Sequence, residues 1–138
     1  MIDKSAMEKE LGPMLDALKK LLYLKDWTIT LEAGQCDNDA AMGQNEMNYR
    51  YEQSFITLDP GRHDSIEEAR RTLFHEMVHI LHAPFNEVLE IAASLIGEDP
   101  KMRAALKDAF DAAQERTVLH IERALLGGVG IDLAKLQG

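Results

Sequence analysis

The stretch that most constrains this chain is His75-Glu76-Met77-Val78-His79. On an α-helix, histidines four residues apart leave the same face one turn apart. Both imidazoles can then reach one tetrahedral Zn²⁺ at about 2.0–2.1 Å. Glu76 lies about 100° around the helix from His75. It projects beside such a metal rather than onto it, where a carboxylate can take a proton from a metal-bound water.

The residues around the motif support a helix. At about 100° per residue, Ile66, Ala69, Leu73, Met77 and Ile80 form one apolar stripe, and both histidines fall opposite it. A histidine serving only as core would lie inside the stripe. Asp64 and Ser65 are capping residues, with Glu67 and Glu68 as capping-box partners, and Pro84 stops the helix just after His82-Ala83. His82 shares the histidine face. However, it lies about 10.5 Å along the axis from His75, too far for all three rings to surround one ion. It reads as a group supporting the ligands, a cleft-lining group or a substrate contact.

With 138 residues, the chain reads as one domain, 1–138, and 46% hydrophobic content suffices for a core. Aromatics are only 6%, so that core should be built of Leu, Ile, Ala and Met. Fifteen basic against 24 acidic residues leave a net charge of −9, which argues against nucleic acid as a partner, since phosphate contacts need clustered Lys and Arg. The lone Cys36 sits in a polar stretch, cannot form an intrachain disulfide, and reads as an inert loop thiol. Met1-Ile2-Asp3-Lys4 leads into a polar helix rather than a signal peptide, and no apolar run is long enough to span a membrane. A cytoplasmic protein with no membrane partner is the expectation.

Read in order, the chain begins with a helix capped at Ser5 with Glu8. Met7, Leu11, Met14, Leu15, Leu18, Leu21 and Leu22 share one of its faces, and Gly12-Pro13 either kinks it or marks its stable start. Trp27–Leu31 alternates as a strand. Ala40–Asn48 is ambiguous, Asn48–Glu52 has strand character, and Ser54–Leu58 is a clearer strand. Short connections suggest an antiparallel meander. After the motif helix, Asn86 is the next expected cap, opening a short, mostly buried helix that ends at Gly97. Asp99-Pro100 then opens a long helix running to about Leu126. The tail from Val129 either frays or docks through Ile131 and Leu133.

Catalytic zinc sites usually have three protein ligands and one open position. From the residues alone, Asp111, Glu115, His120 and Glu122 of the long helix are all candidates for the third. Glu115 and Glu122 share one helical face, seven residues apart.

The order of elements, with Trp27-Thr28-Ile29, Ile56-Thr57-Leu58-Asp59-Pro60, the segment Arg71–Pro84 around the motif, and Glu115-Arg116-Thr117-Val118 through Glu122-Arg123-Ala124-Leu125, resembles minimal zincin-type metallopeptidases of the gluzincin kind. It is similar in particular to small single-domain zincin-like proteins of phage and prophage genomes. The motif helix is the specific part of the likeness. His82 stands where the metzincin pattern continues differently.

The resemblance implies an α+β, zincin-like fold: N-terminal helix, small three-stranded sheet, motif helix and C-terminal helices. It implies one Zn²⁺ per chain on His75, His79 and Glu115, with Glu76 as general base for peptide-bond hydrolysis, and a peptide or protein as substrate. It also implies that the sheet edge over the metal comes from the Ala40–Tyr51 region. His82, His120, Tyr49 and Tyr51 are the candidate oxyanion donors. A non-catalytic zinc-binding module in a phage regulatory or structural role is the alternative, against which an intact Glu76 argues.

Overall fold

A computed structural model describes residues 2–137 of the chain. The order is α1 (Lys4–Leu21), β1 (Thr28–Ala33), β2 (Gly43–Asn48), β3 (Gln53–Leu58), α2 (Ile66–Ile80), α3 (Phe85–Ile96) and α4 (Pro100–Arg123). Three short 3-10 turns and a π-helical turn, Ala124–Val129, complete it. Among the described residues the fold is α+β, with four helices and a small three-stranded sheet. No helix among the described residues is long and apolar enough to cross a membrane.

The α1 cap is Asp3, whose Oδ2 accepts from Ala6 N–H at 3.0 Å, rather than Ser5. Glu8, the expected capping partner, instead accepts from Ala33 N–H at the end of β1. The helix runs through Pro13. Pro13 is exposed, so the carbonyl that loses its helical donor there faces water. On the inner face Met7, Leu11, Met14, Leu15 and Leu18 are buried, each contributing on the order of 1.5–3 kcal/mol relative to exposure.

The sheet is mixed rather than a meander. Its order is β1-β3-β2, with β1 parallel and β2 antiparallel to β3. The second strand also lies earlier than its propensities suggest. Tyr49–Tyr51 forms a 3-10 turn, and Glu52 takes a left-handed conformation at φ 50°. The aromatic segment is therefore the tight connection that turns β2 back onto β3, and strand preference yields to turn geometry there.

Helix α2 is central, packed by α1, β2, β3 and α4. Ser65 Oγ accepts from Glu68 N–H, and the Glu68 carboxylate accepts from Asp64 N–H at 2.8 Å, which closes the N-terminus. Phe74 and Val78 are buried along with Ala69, Leu73, Met77 and Ile80, so the covered face is wider than one stripe. The helix ends at Ile80, and Leu81–Pro84 is a turn. Pro84, with helical φ, occupies the cap position of α3, where Asn86 had been expected.

Contrary to expectation, α3 buries no residue completely: Val88, Ile91 and Leu95 face outward, and its main neighbour is α4. Asp99 caps α4 through Lys101 and Met102 N–H, with Pro100 in the first turn. Beyond the π-helical turn, the tail docks on the core through buried Leu133 and half-buried Ile131.

Candidate metal centre

Helix α4 crosses α2 on the side bearing the histidines. The crossing leaves His75 and His79 partly buried. Three side chains meet there. His75 Nε2 lies 2.9 Å from Glu115 Oε1, His79 Nε2 lies 3.1 Å from Glu115 Oε2, and the two Nε2 atoms are 3.2 Å apart. One ligand atom from each of the three lies within 4.8 Å of the others. Tetrahedral zinc with bonds of about 2.0–2.1 Å spaces its donors about 3.3 Å apart, so the cluster is already near the right size. Two imidazoles and one carboxylate are also a donor set that zinc accepts with one position left open.

His75 is held from behind as well. Its Nδ1 lies 3.1 Å from Glu122 Oε1. A carboxylate accepts from Nδ1–H, which fixes the tautomer that leaves the Nε2 lone pair facing Glu115 and His79. Glu122 thus stands behind the ring while Glu115 stands in front, although seven residues on one helical face do not distinguish them. The hydrogen bond to Glu122 raises the His75 pKa, against burial, which lowers it. Among the described residues His79 has no such second partner; burial, followed by the nearby charge of His75, lowers its pKa.

Glu76 is buried beside the cluster. Burial pushes its carboxyl up to about 7; His75 opposes the shift, while Glu115 and Glu122 add to it. A cleft of about 460 Å³ opens onto it, lined by Met42, Gly43, Arg71, Thr72, His75 and Glu122 among others.

The edge strand β2 is fastened to the same turn of α2. Ser54 O–H donates to Asn45 Oδ1 at 2.6 Å, and Asn45 Nδ2 donates to the Glu76 carbonyl at 2.9 Å. Gly43 allows the close approach: a Cβ there would lie 2.8 Å from both Leu58 Cδ2 and Thr72 Cγ2, and 3.4 Å from Glu76 Oε1. Buried His63 braces the neighbouring turn, with Nδ1 donating to the Asp59 carbonyl at 2.7 Å and Nε2 2.9 Å from Thr72 Oγ1.

Other sequence candidates lie apart from the cluster. His82 turns Nδ1 to the Val78 carbonyl, His120 is exposed, and Asp111 pairs with Lys107. Tyr51 is exposed, and Tyr49 lines a different groove with Trp27 and Pro84. Cys36 is buried with Sγ 3.7 Å from the Thr57 carbonyl.

Sequence reasoning missed Arg71, Gly43 and Asn45. Arg71 stands one turn ahead of His75 on the same face, a spacing that was available to mark it. The roles of Gly43 and Asn45 depend on strand pairing, which local pattern does not reveal. No protein-family model, curated protein or solved structure matches this chain.

Proposed function

We propose that this protein is a zinc-dependent peptidase of zincin type, with His75, His79 and Glu115 holding one Zn²⁺ and Glu76 acting as general base. The observation that carries the reading is the convergence of two Nε2 atoms and one carboxylate beside a buried glutamate that faces an open cleft. When bound, the ion supplies Lewis-acid polarisation of a carbonyl and acidification of water.

The remaining work falls to the chain's own groups. Glu76, buried beside the cluster and opening onto the cleft, is placed to take a proton from the attacking water and return it to the leaving amine. Glu122 keeps the His75 ring in one orientation through Nδ1. Arg71 is the cationic side chain lining the cleft and is the group suited to stabilise developing negative charge.

The free edge of β2 suits an extended peptide. Asp59 N–H donates to the Met42 carbonyl, so by antiparallel alternation Gln44, Glu46 and Asn48 bond to β3. Gly43, Asn45 and Met47 then direct their N–H and C=O groups outward, where a substrate strand can pair with them. The test is metal analysis of purified protein, combined with a broad peptide-cleavage screen of wild type against Glu76→Gln. Zinc-dependent cleavage lost in Glu76→Gln supports the reading. A zinc-loaded wild type that cleaves nothing opposes it.

A further inference from the structure

Helices α3 and α4 form an antiparallel hairpin whose outer face has no cover among the described residues. Eight of the twelve residues of α3 are apolar (Phe85, Val88, Leu89, Ile91, Ala92, Ala93, Leu95, Ile96), yet none is fully buried. Val88 is 59%, Ile91 62% and Leu95 83% exposed, and Met102 at the start of α4 is 53% exposed. A helix apolar nearly all round is normally an interior helix.

The pattern divides by face. At about 100° per residue, Leu89, Ala92 and Ile96, all half-buried, turn towards α4, while Val88, Ile91 and Leu95 lie to one side. On α4, Leu106 and Phe110 turn towards α3, and exposed Met102, Ala105 and Ala109 lie to one side. For antiparallel right-handed helices these two flanks coincide, so one face of the hairpin pairs a bulky aliphatic row with a row of alanines.

We propose that this face is the interface with a second copy of the chain, closing an antiparallel four-helix bundle in which α3 of each copy lies on α4 of the other. Three features favour a second copy. A two-fold axis parallel to the hairpin sets each bulky row against the partner's alanines, so ridges meet grooves. Val88, Ile91, Leu95 and Met102 leave on the order of 100 Å² each, and exposed Ala105 and Ala109 about half that, which over two copies comes to about 1,000 Å² of apolar surface, the threshold a specific interface has to clear. One charge pair also fits: α3 carries Glu87 and no Lys or Arg, and Arg116 at the end of the alanine row lies nearly level with it, with Asp108 and Asp111 on the same stretch of α4. Glu87 and Arg116 take no part in the ion pairs among the described residues. A net charge of −9 disfavours an anionic membrane as the occupant.

The test is sedimentation equilibrium of the full-length protein. Wild type should sediment at about twice the 15.5 kDa of one chain. Leu95→Glu on α3 and Ala109→Glu on α4 should each weaken the dimer by at least about 30-fold while far-UV circular dichroism stays unchanged. In a Cys36→Ser background, Ile91→Cys protein mixed with Ala109→Cys protein should cross-link between copies on mild oxidation. A wild type monomeric at about 100 µM, a concentration at which even micromolar affinities saturate, overturns the proposal. So does a dimer indifferent to both glutamates, or a mixture that forms only like-with-like cross-links.

Discussion

Glu122 accepts from the Nδ1 side of His75 at 3.1 Å while Glu115 faces Nε2 of the same ring at 2.9 Å. One imidazole is thus gripped from opposite sides by two carboxylates of one helix, and the two should fail differently when removed. Glu122→Ala leaves all three proposed ligands in place but frees the ring, so zinc affinity should fall about 10–100-fold. Glu115→Ala removes a ligand outright and should cost more. Competition with a chromophoric chelator measures both. Equal affinities for wild type and Glu115→Ala would remove Glu115 from the ligand set.

Purified protein should carry about one equivalent of zinc, and His75→Ala or His79→Ala should reduce it to near zero. Acidification should release the metal, because protons compete for both imidazoles. Elemental analysis after dialysis at pH 7.5 and pH 5 reads both effects. Full retention in both alanine variants would defeat the assignment.

Glu76→Gln preserves size and polarity but accepts no proton at neutral pH. Zinc content should be unchanged, and turnover on any peptide substrate found should fall about 10²–10⁴-fold. An unaltered kcat would mean that the base is some other group.

Cys36 is only 4% exposed. Burial raises its pKa above the ordinary 9.0, with Asp59 and Glu76 adding to the shift. Alkylation at pH 8 should therefore be slow in folded protein and fast in denaturant. The linkage follows in sign. A raised folded pKa means full stability below pH 9.0 and loss as pH climbs through the folded value, since the unfolded thiol ionises first. Cys36→Ser should leave zinc content intact and flatten that alkaline loss in urea titrations.

Gly43→Val places methyl groups where a Cβ alone would meet Leu58 and Thr72 at 2.8 Å. Overpacking should cost about 1–3 kcal/mol, visible as a lower urea midpoint. Because the added Cβ would also lie 3.4 Å from Glu76 Oε1, turnover on any peptide substrate found should fall as well. Wild-type stability in this variant would mean that β2 can shift away from α2.

Local chemistry in the sequence determined where the helices lie and, at α2 and α4, the residues that cap their starts. The stop and start residues around Ser65, Pro84 and Asp99-Pro100 act within one turn, and the four-residue spacing of His75 and His79 puts both rings on one side whatever surrounds them. The tertiary structure decided everything that depends on contacts between distant segments. β1 lies parallel to β3 because pairing is chosen by non-local contacts, whereas short loops alone suggested a meander. Glu115 and Glu122 share a face of α4, and only the crossing of α4 over α2 sets one in front of His75 and the other behind it. The apolar content of α3 points to a buried helix, but burial needs a partner surface, and nothing among the described residues folds back to cover that face.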